Sequence, residues 1–489
     1  MWKKSLSRNM ESEQINGKVI VNSLWWKLLE RLFSQGINLV VQIILARILL
    51  PSDFGCLAII VAITNYAAIF VQTGLSTVLI QKKNLDEQDT STMLTASLAI
   101  ALFFFVVLFF AAPWISSYYE LPNLLWPLRT LSLILFLNAI NSVQTALLSR
   151  SMNFKTIFVR SALSVPISGA VGIAMAYMGF GVWALVTHNL LNMFIMVLVM
   201  FWGTDMKLQL GFSLNRAKSM YAFSGKIMLS GLVSGFGETV RTMTIGKRYT
   251  PSDLAYYDKA YSYAQYVTHI VHASIQSVML PVMSRQQDNI AVLRETNRRT
   301  VSMVSFVMFP ILIWAIMASK PFIILLLTEK WTLSIPFFML FCFFRLVGCV
   351  TSVDKQAYFA LGRSDIALYF EVGLLLANLA ALFALVRYSV WAIAIGATTV
   401  EFLGCMALCV VSSKLYGYRL IDRWSDIKLP LLNSLIMAAV LHGINMMEFD
   451  LLPTLVFQVL AGASVYMLMA RITKDQNLGQ LKSIILKKR

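Results

Sequence analysis

Long apolar runs recur along almost the whole chain, separated by short polar segments. Each run is about 20 to 25 residues long, which is the length of helix that crosses a bilayer core of about 30 Å. The strict alternation of apolar and polar residues that is typical of barrel strands is absent from these runs. The pattern predicts fourteen transmembrane helices, near residues 22–46, 55–80, 91–112, 124–148, 157–178, 181–202, 219–245, 253–281, 299–319, 333–358, 365–387, 389–412, 429–447 and 452–470.

The composition also indicates an all-α polytopic membrane protein. Of the 489 residues, 58% are hydrophobic and only 13% are charged, and the mean hydropathy is +0.70. Soluble domains contain about twice that share of charged residues. The five cysteines lie in or at the ends of apolar runs without a Cys-x-x-Cys pair, so we expect neither a disulfide nor a metal site.

The net charge of +17 indicates, first of all, how the chain is oriented in the membrane. With both termini in the cytoplasm, most lysines and arginines fall in inward loops, as the positive-inside rule requires. We expect the basic segment 285–299 and the tail 487–489 to contact anionic membrane lipids. The polar first 20 residues do not resemble a cleavable signal peptide. Nucleic-acid binding is not expected, because no soluble domain is predicted.

An internal repeat relates the two halves of the chain. Pro51-Ser52-Asp53 follows the first predicted span and Pro251-Ser252-Asp253 follows the seventh. Gly181-Val182-Trp183-Ala184 and Ser389-Val390-Trp391-Ala392 open the sixth and twelfth spans, and Arg150-Ser151 matches Arg363-Ser364. Two six-helix lobes are a common transporter plan, with the substrate site between them.

The repeat therefore predicts two lobes and two extra C-terminal helices. The predicted segments are a cytoplasmic tail (1–21), an N-lobe (22–202), a cytoplasmic inter-lobe linker (203–218), a C-lobe (219–412), a cytoplasmic loop (413–428), spans thirteen and fourteen (429–470) and a basic cytoplasmic tail (471–489).

Lysines and arginines interrupt several of the predicted spans. A cation at the bilayer centre costs roughly 2.5 to 3.5 kcal/mol, so these side chains should face a polar interior, and a cationic interior suits an anionic cargo. The alternative is an ion pair within a helix, such as Arg31 with Glu30 or Arg241 with Glu238. The candidate substrate-binding residues are Arg31, Arg241, Lys27, Lys226, Arg345, Lys259 and Arg129.

Polar and aromatic residues are concentrated in span 253–281. Amides, imidazoles and phenols can bind sugar hydroxyls, whereas tyrosines at a span end can also form an interfacial belt. The candidate sugar-contacting residues are Gln265, His269, Gln276, Tyr263, Asn38 and Gln42. His269 and His272 lack a third ligand nearby, so no metal is expected.

Acidic residues within spans could couple transport to an ion gradient. The candidates are Glu30, Glu238, Glu371, Glu401 and His272, with H⁺ or Na⁺ as the ion. Structural pairing, for example of Glu371 or Glu401 with Arg345, is the alternative. No cofactor is expected, and no Gly-x-x-x-x-Gly-Lys-Ser/Thr loop is present for ATP hydrolysis.

Several short segments resemble a known family over nearly the whole chain. They are 46–55 (ARILLPSDFG), 74–76 (GLS), 181–184 (GVWA), 250–257 (TPSDLAYY) and 280–285 (LPVMSR). In them the chain resembles Wzx-type polysaccharide and lipopolysaccharide flippases of the colanic-acid exporter kind. These form the polysaccharide transporter branch of the multidrug, oligosaccharidyl-lipid and polysaccharide exporter superfamily.

The resemblance implies two six-helix bundles around a V-shaped cavity, and no enzymatic activity. It implies that an undecaprenyl-diphosphate-linked oligosaccharide is moved across the bacterial cytoplasmic (inner) membrane by alternating access, for lipopolysaccharide or exopolysaccharide synthesis. Arg31 and Arg241 would match the family's cationic residues in the first helix of each lobe. Polysaccharide polymerase and chain-length proteins are candidate partners.

Two other functions are open to a chain of this kind. A cation-coupled multidrug antiporter should have an acidic lumen, but cations outnumber acidic residues in these spans. A membrane polysaccharide polymerase or ligase should carry a large outward catalytic loop, and the outward loops are short.

Overall fold

The computed structural model describes residues 17–72, 79, 82, 85–203, 209–447 and 449–479. Gly74-Leu75-Ser76, most of the predicted N-terminal tail and the basic residues 487–489 lie outside this part. By its internal contacts the chain divides into two compact units, Met1–Ser252 and Asp253–Arg489. Neither unit contains a β-strand within the described residues.

The first unit is built from eight described α-helices and a short 3₁₀ turn at Pro122–Leu124. They are α1 (Gly17–Ile48), α2 (Pro51–Gln72), α3 (Glu87–Tyr119), α4 (Leu125–Leu131), α5 (Ile134–Arg150), α6 (Phe154–Tyr177), α7 (Val182–Gly203) and α8 (Leu214–Arg248).

The second unit begins within α9 and includes a 3₁₀ segment at Glu329–Ser334. Its α-helices are α9 (Pro251–Ser284), α10 (Ile290–Met317), α11 (Ser319–Leu327), α12 (Ile335–Ala360), α13 (Ser364–Leu385), α14 (Val390–Tyr416), α15 (Leu420–Met446) and α16 (Leu451–Ile472).

Twelve helical segments in the described residues are long and apolar enough to cross a membrane. They match twelve of the fourteen predicted spans. The other two predicted spans, 219–245 and 253–281, coincide with α8 and α9, which are long enough to cross a bilayer but are more polar. The all-α polytopic class is therefore confirmed.

Capping residues explain several helix ends. Asn153 accepts a hydrogen bond from the Thr156 amide at the start of α6, and the Ser389 hydroxyl accepts one from the Ala392 amide at the start of α14. Each satisfies an amide that has no partner inside its helix. At the other end of α14, Gly417 takes the left-handed conformation (φ 74°) that commonly ends a helix.

In the first unit, α6 packs against α1 and α7, and α8 packs against α2 and α3. The rings of Trp26 and Phe33 on α1 both contact Phe158 on α6. Thus α8, which opens the predicted C-lobe, packs with helices of the first half. The predicted lobe boundaries rest on the sequence repeat and stay a prediction.

Two of the sequence motifs meet in the first unit. Asp53 accepts a hydrogen bond from the Leu50 amide at 3.1 Å, which closes the turn between α1 and α2. Its carboxylate also lies beside Gly181, where an added Cβ would be 3.1 Å from Oδ1. Gly181 has φ +54°, a conformation that glycine adopts at little cost. The turn before α7 thus packs closely against the start of α2.

In the second unit, α10 packs against α12 and α15, α12 packs against α14, and α15 packs against α16. The largest fully buried side chains of this unit are aromatic, and they are Trp331, Tyr358, Tyr418 and Phe338.

Candidate functional site

The charged residues of α1 differ in their surroundings: one contacts a neighbouring helix and two are exposed. Glu30 accepts a hydrogen bond from the Ser161 hydroxyl of α6 at 3.0 Å. Lys27 and Arg31 are exposed, and Lys27 Nζ lies 5.5 Å from the centre of the Phe154 ring. The sugar-contact candidates Asn38 and Gln42 on the same helix are half-buried.

A buried arginine absent from the predicted site lies next to Glu30. Arg160 of α6 is 6% exposed and its charge interacts with that of Glu30. Its Nη1 donates to Asn141 Oδ1 at 2.8 Å and to Thr145 Oγ1 at 3.1 Å. Arg160 falls inside the predicted span 157–178, so the criterion that selected the other intramembrane cations could have found it.

Helix α8 holds three of the predicted residues. Glu238 is exposed and Arg241 is half-buried on this helix. Lys226 lies in α8 with its side chain outside the described part of the structure. Because α8 packs against α2 and α3, these residues belong to the first unit.

Arg345 of α12 lies over one face of α9. The centre of its guanidinium is 5.3 Å from the centre of the Tyr261 ring, and Nη1 donates to Thr268 Oγ1 at 3.4 Å. Exposed Gln265 is four residues after Tyr261 and three before Thr268, so the three share a helix face. The structure therefore brings together one predicted cation and one predicted sugar contact, with Tyr261 and Thr268 added.

The remaining candidates on α9 lie apart from this face or outside the description. Tyr263 is buried, with its ring 6.2 Å from that of Tyr266. Lys259 is half-buried and its charge interacts with that of Asp258. The side chains of His269, His272 and Gln276 lie outside the described part of the structure.

Arg129 is held by local groups of α3 and α4. Its Nε donates to the Phe109 carbonyl at 3.0 Å. Its guanidinium also lies 4.2 Å from the Phe109 ring centre and 5.2 Å from that of Trp126. A carbonyl acceptor and two ring faces can stabilise a partly desolvated guanidinium.

The acidic coupling candidates of the second unit lie on α13 and α14. Glu371 of α13 lies 4.0 Å from Lys355 Nζ, and both side chains are partly exposed. Glu401 of α14 is exposed. No group of three or more His, Cys, Asp or Glu residues in the described ranges is arranged to hold a metal ion.

A buried aspartate joins three segments of the first unit that were predicted to face the cytoplasm. The Asp89 side chain is fully buried, and it accepts from Lys82 Nζ at 2.6 Å and from Arg216 Nη1 at 2.8 Å. Arg150 donates to the carbonyls of Leu79 and Lys82 in the same region. The start of α8 is thereby tied to the start of α3.

A second buried aspartate organises the corresponding end of the second unit. Asp354 of α12 accepts from Arg423 Nη1 at 2.7 Å and Nη2 at 3.0 Å, and also from Tyr416 and Asn297. Asp354 is fully buried and the Arg423 side chain is 4% exposed. This network joins α10, α12, α14 and α15.

Beside this network, Arg298 donates through Nε and Nη2 to both oxygens of Asp426, at 2.9 and 2.8 Å. Tyr418 donates its hydroxyl to Asp426 at 2.9 Å. Burial raises the pKa of Tyr418, and the Asp426 carboxylate raises it further. The phenol therefore stays a hydrogen-bond donor at physiological pH.

The sequence is similar to those of several proteins named for polysaccharide biosynthesis or transport. It is 26% identical over 328 residues to the succinoglycan biosynthesis transport protein ExoT of Rhizobium meliloti (strain 1021), covering 66% of this chain and 65% of that protein. It is 24% identical to the teichuronic acid biosynthesis protein TuaB of Bacillus subtilis (strain 168), covering 66% and 68%. The lipopolysaccharide biosynthesis protein WzxC of Escherichia coli (strain K12) is 22% identical, with 71% of each chain covered. The chain thus spans slightly less than two thirds of the Rhizobium protein.

Two solved structures share the fold. The lipid II flippase MurJ in an inward closed conformation matches with a TM-score of 0.77 and 16% identity, over 93% of this chain and all of that one. An inward-facing multidrug resistance transporter of the MATE family matches with a TM-score of 0.61 and 15% identity, over 83% of this chain and 98% of that one. These likenesses support the fold that the resemblance to Wzx-type exporters implied.

A family model described as polysaccharide biosynthesis protein matches residues 44–336. This match confirms the predicted family, and its residues make up more than half of the 489 in the chain. The chain therefore belongs to the polysaccharide biosynthesis protein family.

Proposed function

We propose that this protein is a flippase that moves an undecaprenyl-diphosphate-linked oligosaccharide across the bacterial cytoplasmic membrane, for lipopolysaccharide or exopolysaccharide synthesis. Membership of the polysaccharide biosynthesis family is the observation that supports this proposal best. The transport and lipopolysaccharide roles in the names of ExoT and WzxC agree with it. The fold shared with the lipid II flippase MurJ is compatible with a lipid-linked cargo.

The proposal accounts for the intramembrane cations. A diphosphate cannot cross hydrocarbon unaided, since moving charge out of water into a low-dielectric medium is costly. Arginines within membrane helices can supply charge-assisted hydrogen bonds in place of water. We assign contact with the diphosphate to Arg31 and Arg241, with Lys27 and Lys226 near it.

Transport would proceed by alternating access, with both termini in the cytoplasm, and the protein would act as a transporter rather than an enzyme. Membrane lipids would surround it. Polysaccharide polymerase and chain-length proteins are proposed partners, because the flipped oligosaccharide is their substrate.

Coupling to H⁺ or Na⁺ is a separate part of the proposal and rests on Glu371 and Glu401. Both are partly exposed carboxylates on apolar helices, a setting in which ionisable residues often serve transport. Dissipating the proton or sodium gradient should slow flipping, and an unchanged rate would mean that the cargo gradient alone drives it.

Lipid analysis of a deletion strain tests the proposed function. Polyprenyl-linked lipids would be measured by mass spectrometry, with a membrane-impermeant glycosidase added to intact spheroplasts. We expect an undecaprenyl-diphosphate oligosaccharide to accumulate in a form protected from the enzyme. A lipid pool that is unchanged, or fully open to the glycosidase, would contradict the proposal and favour a multidrug antiporter or a polymerase.

A further inference from the structure

Arg345 is a cation inside an apolar helix, and no ion pair of Arg345 occurs within the described residues. It lies near the middle of the membrane-crossing segment Glu329–Ala360. Its Nε is buried and has no hydrogen-bond acceptor in the described structure. An arginine in such a place ordinarily pairs with a carboxylate or faces a polar site. At least one hydrogen-bond donor of Arg345, Nε, therefore has no acceptor among the described residues.

The described side chains that contact Arg345 on α9 are neutral. One side of the guanidinium faces the Tyr261 ring, and Nη1 reaches only the Thr268 hydroxyl, at 3.4 Å. The next charged residues along this part of α9 are Lys259 and Asp258, whose opposite charges interact with each other. Among the described residues, no carboxylate therefore pairs with the guanidinium.

Aromatic packing holds this arrangement in place. Tyr261 meets the edge of Phe341 with ring centres 5.4 Å apart, and Tyr257 meets the same ring at 5.2 Å. Phe341 is one turn before Arg345 on α12 and is buried. The tyrosine face and the guanidinium are thus fixed relative to each other before any ligand binds, which lowers the entropic cost of binding.

We propose that Arg345, with Tyr261, Gln265 and Thr268, forms a subsite for a carboxylate-bearing sugar of the cargo, so that the protein selects an acidic oligosaccharide. This inference rests on the proposed flippase function. A single planar guanidinium matches one carboxylate in a two-pronged geometry. A diphosphate bears at least two charges and is better bound by several cations, and the described side chains on this face of α9 include no second cation. Gln265 and Thr268 would bind neighbouring sugar hydroxyls.

The test is a binding comparison with full-length protein in nanodiscs. Three probes are used: undecaprenyl diphosphate alone, undecaprenyl-diphosphate disaccharide ending in glucuronate, and the same disaccharide with its carboxyl reduced to the alcohol. Dissociation constants are measured for the wild type, Arg345→Gln, Arg345→Lys and Arg363→Gln. Arg363 is an exposed arginine of the same unit that pairs with Asp365.

We expect the wild type and Arg363→Gln to bind the glucuronate lipid roughly tenfold or more tightly than the reduced lipid. Arg345→Gln should bind both sugars with affinities within about twofold of each other and close to that of the wild type for the reduced lipid. Arg345→Lys should keep part of the preference, because it retains the charge and loses the planar fork.

Three outcomes would contradict the proposals in different ways. Equal binding of the two sugars by the wild type would overturn the acidic-sugar subsite and leave the flippase proposal standing. An equal loss of affinity for all three probes in Arg345→Gln would show that Arg345 serves the diphosphate or the fold, which also overturns the subsite. Failure of the wild type to bind any of the three lipids would overturn the proposed function itself.

Discussion

Gly55 of α2 lies against the backbone carbonyl of Pro251, the first residue of α9. A Cβ added to Gly55 would be 1.7 Å from the Pro251 oxygen, far inside any allowed contact. The start of α2 therefore touches the backbone of Pro251, the residue that opens the second Pro-Ser-Asp motif. Only glycine permits this approach, since every other residue has a Cβ.

Replacing Gly55 with alanine should destabilise the protein. The obstacle is backbone, which cannot rotate away as a flexible side chain could, so we expect a loss of about 1 to 3 kcal/mol or more from overpacking. The apparent Tm of the detergent-solubilised protein measures it. Gly373→Ala is the matched control, since a Cβ there meets nothing within 4 Å. That change should leave the Tm equal or slightly higher, because alanine favours helix. Equal Tm values for the two variants would contradict the prediction.

Asp89→Asn should loosen the start of α8. Asp86 and Asp89 both contact Arg216, at 3.2 and 2.8 Å, but the Asp86 side chain is 63% exposed and that of Asp89 is fully buried. Exposed ion pairs contribute little to stability, whereas a buried donor or acceptor that loses its partner is costly. We expect a clear decrease in Tm and faster tryptic cleavage after Lys218 for Asp89→Asn, and little change for Asp86→Asn. The same small effect from both variants would show that burial of Asp89 does not matter.

Arg423→Gln should be among the more damaging changes in the second unit. It leaves the buried Asp354 carboxylate without its cation, and breaking such a pair typically costs about 3 to 5 kcal/mol. The double variant Asp354→Asn with Arg423→Gln should lose less than the sum of the two single variants. Thermal unfolding of all three measures this coupling. Additive losses would mean that the two side chains act independently, and Asp365→Asn, in an exposed pair, is the control without a measurable effect.

Arg31→Ala and Arg241→Ala should each abolish surface polysaccharide while the protein is still made. The proposed reason is loss of contact with the diphosphate, whose charge then has no compensation in the membrane. Surface polymer and the amount of protein in the membrane are measured together in a complemented deletion strain. Arg363→Ala removes an exposed cation and should complement fully. Normal polymer from both Arg31→Ala and Arg241→Ala would refute the assignment.

Hydropathy was sufficient to predict the twelve long apolar helices of the described residues, because the bilayer dictates their length and apolarity. It could not predict their ends. Helix α15 begins at Leu420 and α10 at Ile290, each nine residues before the predicted span, since helices continue into water where capping replaces hydropathy. The predicted span 124–148 is interrupted between α4 and α5 at Ser132 and Leu133, a break that its apolar composition does not reveal.

The candidate site was harder to predict from the sequence than the helices were. The charge of Arg345 marked it, but its neighbours Tyr261 and Thr268 lie more than 75 residues away, and only tertiary packing decides which helix faces meet. Arg423 was missed for the same reason, because it lies in a predicted loop and its partner Asp354 is 69 residues away. Asp354 lies inside the predicted span 333–358, so its charge was a local signal that the prediction did not use. Arg160 did have such a pattern, as an isolated cation in an apolar run.

The polarity of α8 affects how the chain is made. A segment containing Lys226, Glu238 and Arg241 is poorly retained by lipid when it leaves the translocon by itself. Helices α2 and α3, against which α8 packs, are synthesised earlier and are already in the bilayer when it emerges. Insertion of α8 is therefore an assembly step onto a preformed protein surface. Damage to the first helices should then appear as a failure of biogenesis, before any cargo is transported.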